Sequence, residues 1–170
     1  MDVRVLTPTD ARACRSLRLE ALRDHPTAFA STYEEESGIA VDLIATRLRP
    51  TENAAVFGAF EGERQIGMVG IQRESGLKLR HKALIWGMYV APEFSRRGVG
   101  SRLLQSVLEY ATTSMPGLRQ VNLCVNSRNP SAVEMYRKAG FEPFGVERAF
   151  LIVDDAPQDL IHMVRVIARV

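Results

Sequence analysis

Apolar positions along this 170-residue chain repeat with two periods, and the switches between them mark out its elements. Short runs rich in β-branched and aromatic residues predict strands at Val3–Leu6, at His81–Pro92 (HKALIWGMYVAP) and at Arg119–Val125 (RQVNLCV), the last as a buried strand. Ala54–Ser75 reads as a hairpin, with Glu61-Gly62-Glu63-Arg64 at its turn. Val146–Val153 and Asp159–Val170 read as two closing strands around the turn Asp154–Gln158. Helical spacing fills the gaps. A first helix starts at Thr7 or Thr9 and stops at Pro26, with Ala13, Leu17 and Ala21 on one face beside Leu19 and Leu22. A second runs from Ile39 to Leu48 ahead of Pro50, which leaves Glu34, Glu35 and Glu36 in the connection between the two.

Leu103, Leu104, Val107, Leu108 and Ala111 recur at the period of an amphipathic helix, with Arg102, Gln105 and Glu109 on its outer side. Asn129-Pro130 opens a further helix that Gly140 closes. Strand, two helices, three-strand meander, helix, strand, helix and two strands make an α+β (mixed α/β) layer structure. Neither repeats nor linkers interrupt it, so residues 1–170 read as a single domain.

Composition narrows little further. Hydrophobic residues at 46% and charged residues at 25% are those of an ordinary globular protein. The 22 basic and 20 acidic residues leave a net charge of +2, too small a field to hold nucleic acid or a membrane, so any anion site must be local. The start of the chain lacks a signal pattern and no apolar run approaches a membrane span, which makes the cytoplasm the expected compartment. Cys14 and Cys124 are far apart and read as packing residues, and His25, His81 and His162 lack metal-ligand spacing, so no metal is expected.

One local anion site is visible. Between the strand ending at Val90 and the amphipathic helix stands Ser95-Arg96-Arg97-Gly98-Val99-Gly100-Ser101. A glycine turn before a helix N-terminus can bring unpaired N–H groups against phosphate oxygens, although the same turn also serves as a plain strand-to-helix connection. A Walker loop would need Lys-Ser/Thr after Gly100, where Ser101-Arg102 stands; a dinucleotide fingerprint would need Gly or Ala where Leu103 stands.

The strand IWGMYV, the turn SRRGVGSRLL and the later LCVNSRNPSAVEMYRKAGF together resemble the acetyl-CoA-binding core of the GNAT superfamily of N-acetyltransferases, over Trp86 to Phe141. That family's turn reads Gln/Arg-x-x-Gly-x-Gly/Ala, and Ser95 departs from its first position; Asn129, Ala132, Tyr136 and Gly140-Phe141 fall on its second pattern. The segment SLRLEALRDHPTAFASTYEEE is also similar to the opening of many bacterial members.

The resemblance implies a central mixed, mostly antiparallel sheet flanked by helices, and direct transfer of acetyl from acetyl-CoA to a small-molecule or peptide amine, with coenzyme A as product. It assigns the pyrophosphate to the backbone of Arg97, Gly98, Val99, Gly100 and Ser101, with the Arg96 and Arg97 side chains free to meet other phosphate oxygens. The pantetheine arm falls to the backbones of Met88 and Val90 and to Asn129, whose residue type also suits a helix cap. Tyr136 is implied as the acid that protonates the departing thiolate, with helix-to-sheet packing as its alternative role. Tyr33, Glu34, Glu35, Glu36 and His81 are candidates for the acceptor side; the general base is not legible, and the acidic cluster reads first as a solvated face. Homodimers are frequent in such families. The rival readings are a non-catalytic acetyl-CoA sensor and, last, a nucleic-acid domain using Arg96, Arg97, Arg102, Arg119 and Arg128.

Overall fold

The structure, a computed structural model, describes residues 1–167; positions 168–170 of the expected closing strand lie outside the described residues. In chain order the elements are β1 (Asp2–Val5), α1 (Ala11–Asp24), α2 (Tyr33–Ser37), α3 (Val41–Arg47), β2 (Ala54–Glu61), β3 (Arg64–Arg73), β4 (Lys82–Val90), α4 (Val99–Thr113), β5 (Gln120–Asn126), α5 (Pro130–Lys138), β6 (Glu142–Val153) and β7 (Ala156–Val166). The strands form one sheet in the order β1-β2-β3-β4-β5-β7-β6, antiparallel except where β4 lies beside β5. Both expected hairpins are present, the first turning at Gly62, whose φ of +60° suits glycine.

Strand β3 carries the core because both of its faces are covered. Its alternation sends Gly67, Val69 and Ile71 toward α4, where a Cβ on Gly67 would lie 3.0 Å from Leu103, and sends Met68 and Gly70 toward α1. Helices α1 and α4 therefore clamp opposite faces of the sheet. Leu103, Val107, Val69 and Ile71 are fully buried on the α4 side.

Two local expectations change. The buried stripe of α1 runs through Ala11, Cys14, Leu17, Ala21 and Leu22, while Ala13 is exposed. Successive residues are about 100° apart around a helix, so a stripe through Cys14 turns Ala13 outward. Glu34, Glu35 and Glu36 are not in an irregular connection but in α2, a short helix opened by a reciprocal cap: Glu35 N–H donates to Thr32 Oγ1 at 3.2 Å, and Thr32 N–H donates to the Glu35 carboxylate at 2.8 Å.

A comparable cap starts the 3-10 turn before α1. Asp10 accepts from Thr7 N–H at 2.8 Å and from Arg4 at 2.7 and 2.9 Å, and the Arg4 hydrogen bond is the main cause that holds its carboxyl down at about 2. A carboxyl depressed in the fold stabilises it above the unfolded value of 3.8, and the contribution is lost as pH falls toward about 2. Asp10→Asn should cost about 1 kcal/mol at neutral pH, allowing for the half-exposed Arg4. Urea titrations at a series of pH values should show that difference shrinking between pH 4 and 2; a constant difference would show that the charge on Asp10 is immaterial.

Candidate active site

Strands β4 and β5 pair only at Lys82↔Gln120, Ala83↔Val121 and Leu84↔Asn122, and then part. The cause lies in β4. Gly87 takes φ +64°, and the β3–β4 register slips between Met68↔Tyr89 and Gly70↔Trp86, so the strand bulges and bends away from its parallel neighbour. A cleft of about 650 Å³ opens in the gap.

At one end the cleft meets the glycine turn. Gly98 is the N-cap of α4 with φ 78° and ψ 4°, and Arg96 is also left-handed at φ 62°. The first bond of the helix is Arg102 N–H to Gly98 O at 3.1 Å, so the N–H groups of Val99, Gly100 and Ser101 lack intrahelical partners, and no side chain caps them. They stand at the positive end of a 15-residue helix. A Cβ on Gly100 would lie 3.1 Å from Met135 Sδ, which fixes how closely α5 approaches the turn. Arg96 lines the cleft; the Arg97 guanidinium instead stacks on Phe94 at 5.2 Å and lies 3.8 Å from Glu61.

Met88 and Val90 line the β4 wall. Ala91 N–H donates to Ile66 O at 2.9 Å on the β3 side, so the alternation of the strand turns Val90 N–H toward the cleft. Across the gap, α5 contributes Asn129 and Tyr136. Asn129 is the helix cap, its Oδ1 accepting from Ala132 N–H at 3.1 Å and Ser131 O–H at 2.9 Å. Tyr136 is 5% exposed, packs edge-on to Phe141, and is pushed up to about 12 by burial, which keeps its phenol protonated at neutral pH.

The cleft continues through the sheet to the α1 face, where His25, Phe29, Trp86, Tyr89, Cys124 and Asn126 line it. Asn126 is turned to this face by its 2.9 Å bond to Thr27 O, and Cys124 shares its side of β5. Cys124 is therefore exposed in the cleft, not packed; Cys14 is the packing cysteine. The Tyr89 hydroxyl donates to Glu20 at 3.0 Å.

The acceptor candidates divide. Glu36 is gripped by Arg18 through bonds of 2.7 and 3.0 Å; burial opposes ionisation, but that guanidinium holds the carboxyl below its ordinary value. Arg18 lies over the Phe29 ring at 4.8 Å, and its buried Nη1 lacks a partner among the described residues. Glu35 is engaged in the reciprocal cap of α2 with Thr32, and Glu34 is exposed on that helix. Tyr33 lines a separate groove with Arg12, Arg15 and Arg23. His81 precedes β4 at the end away from the turn, about 17 Å along the strand from Trp86 at 3.3 Å per residue, and the structure does not bring it to the cleft. Trp86, Tyr89, Glu20 and Arg18 were missed as site residues, because only the bulge at Gly87 and the docking of α1 bring them together. Cys124 left a signal in the alternation Asn122-Leu123-Cys124-Val125-Asn126, whose polar members share one face.

The sequence profile of the acetyltransferase (GNAT) family matches residues 16–141. The N-alpha-acetyltransferase RimI of Mycobacterium tuberculosis is 31% identical over 58% of this chain and 59% of its own length. The chain spans 33% to 64% of the length of the first curated relatives it matches. Among solved structures, a GNAT-family acetyltransferase from Streptococcus pneumoniae superposes with a TM-score of 0.87 at 24% identity, covering 98% of this chain and 99% of that one. The Salmonella typhimurium protein yncA, solved with its cofactor acetyl-CoA, gives 0.86 at 17% identity over 99% and 95%. At those identities the structural likeness shows the fold. Among the described residues no helix is long and apolar enough to cross a membrane.

Trp86 is the one tryptophan of the chain, and its indole lies over Gly70, where an added Cβ would come within 2.2 Å of the ring. Gly70→Ala should push the indole off the sheet, red-shift the emission and destabilise the fold by about 1–3 kcal/mol. Unchanged emission in a folded variant would show that the indole does not rest there.

Proposed function

The chain belongs to the acetyltransferase (GNAT) family, and from that premise we propose that residues 1–170 form one N-acetyltransferase domain that carries acetyl from acetyl-CoA directly to a primary amine of a small molecule or peptide. The observation that carries this reading is the gap between β4 and β5, which joins a turn of unpartnered N–H groups on the α4 side to an open polar face on the α1 side. A donor and an acceptor can meet there from opposite faces of the sheet.

The residues present fit acetyl-CoA. Gly98, Val99, Gly100 and Ser101 offer backbone N–H groups to a pyrophosphate, and the Arg96 side chain can add a charged bond. Gly98 presents open space where a side chain would stand. Acetyl-CoA supplies an acetyl group on a thioester, already activated toward an amine. Val90 N–H serves as donor to the thioester carbonyl oxygen, whose negative charge grows as the amine adds. Tyr136, kept protonated by burial, donates its proton to the departing sulfur. The acceptor enters over Trp86 and Tyr89 on the α1 face. Spermidine, an alanine-initiated peptide and an arylamine make a suitable first panel.

Calorimetric titration should show saturable binding of acetyl-CoA and none of ATP or NAD. The absence of acetyl-CoA binding by folded protein would end this reading, and binding without coenzyme A release for any amine would favour a sensor. Tyr136→Phe should bind acetyl-CoA as tightly as the wild type yet turn over about 100-fold more slowly. Unaltered turnover would leave Tyr136 a packing residue.

A further inference from the structure

Cys124, His162 and Glu147 stand in a row across three neighbouring strands. Cys124 on β5 is in register with His162 on β7, and His162 with Gly145 on β6, two residues before Glu147. Cys124 Sγ is 3.1 Å from His162 Nδ1, and His162 Nε2 is 2.9 Å from Glu147 Oε2. We propose that this row is the proton relay for the acceptor amine, with His162 as the group that finally takes the proton, an assignment that rests on the acetyltransferase reading above.

The carboxylate fixes the direction of the relay. Glu147 can only accept, so Nε2 carries the hydrogen and Nδ1 offers its lone pair to the thiol, which donates. The inner end of the row lines the cleft on the acceptor face, opposite Tyr136, and the outer end, Glu147, is 52% exposed to solvent. The imidazole between them is flanked by the Phe144 and Phe150 rings at 5.9 and 6.4 Å. Of the charged groups around it, β6 presents Glu147 and also Arg148, which is turned to Asp159 of β7 at 2.6 Å; β5 presents Gln120, Asn122, Cys124 and Asn126, none of them an acid or a base that carries charge at neutral pH, on this face.

In the relay an ammonium N–H proton passes to Sγ as the S–H proton passes to Nδ1. The amine lone pair is freed to attack, the thiol is regenerated, and an imidazolium remains beside Glu147 until it releases the proton to water. Burial, and then the charge of Glu147, raise the Cys124 thiol above its ordinary value, which suits a group that passes a proton on rather than one that rests as thiolate.

Two measurements test this. The first needs no acceptor. Iodoacetamide should alkylate Cys124 and spare Cys14, which is 5% exposed, and His162→Gln should slow alkylation severalfold near neutral pH by removing the proton acceptor; an unchanged pH dependence would overturn the thiol–imidazole bond. The second follows coenzyme A release with the best amine of the panel above. His162→Gln should lower kcat/KM about 100-fold at neutral pH. The deficit should close toward about pH 10, where alkylamines shed their proton unaided. A deficit that stays constant with pH would make His162 merely structural. Cys124→Ser should retain most activity and Cys124→Ala should lose it, whereas an acetyl adduct on Cys124 formed at the rate of turnover would replace the relay with a covalent route. Failure of the wild type to bind acetyl-CoA would sink the underlying reading instead, and the alkylation arm would still report on the pair.

Discussion

Gly87 holds β4 in a left-handed kink three residues beyond its last pairing with β5, and the parting of those two strands is the constraint on which the rest of the structure depends. A sheet interrupted in its middle leaves backbone donors and acceptors facing a gap, and a buried polar group without a partner costs about 1–3 kcal/mol. The fold tolerates this because the paired foot of β4 and β5, the β3–β4 ladder and the β5–β7 ladder hold the strands on either side. Those unpaired edges remain ready for a ligand whose own amides can complete the ladder. The pantetheine arm of coenzyme A has that peptide-like character, which ties the proposed cosubstrate to the shape of the gap and not only to the glycine turn.

The second consequence is electrostatic. With a net charge of +2 the protein has no long-range field to gather an anion, and some of its acids and bases are held in local pairs such as Arg4–Asp10 and Arg18–Glu36. What the cleft itself offers a phosphate is a set of fixed dipoles at the start of α4 and the side chain of Arg96. Backbone donors of this kind cost little to organise, because the helix itself holds them in place, and they are indifferent to most side-chain changes in the turn. Ser95, which departs from the family's first turn position, therefore leaves the N–H groups at the start of α4 unpartnered for the proposed cradle.

Sequence reasoning reached the parts of this site that are local in the chain. Gly98, Gly100, Asn129 and Tyr136 stand at fixed spacings beside element boundaries, so the pattern and the geometry carry the same information, and all four line the cleft. Cross-strand relationships were out of reach. His81 and His162 look alike as single histidines with no partner visible in the sequence, yet the register of β5 with β7 puts His162 beside Cys124 and leaves His81 at the far foot of β4. The two arginines of the turn are equivalent in sequence, but Phe94 and Glu61 draw Arg97 away. Glu35 was legible as a cap from Thr32-x-x-Glu35, a signature that the charge of the acidic run concealed.

The division of the site between two faces of the sheet also separates its proton chemistry. An acid and a proton acceptor close enough to exchange protons directly would neutralise each other without help from the substrate. Here Tyr136 is buried on the α5 side, where desolvation keeps the phenol intact, while the Cys124–His162–Glu147 row lies on the α1 side and ends in water. On the proposed reading the reacting molecules themselves bridge the gap: the amine gives its proton to one face and the departing sulfur takes one from the other. On that reading β5 itself keeps the two proton-handling groups apart, and the parting of β4 from β5 lets the reacting molecules reach both.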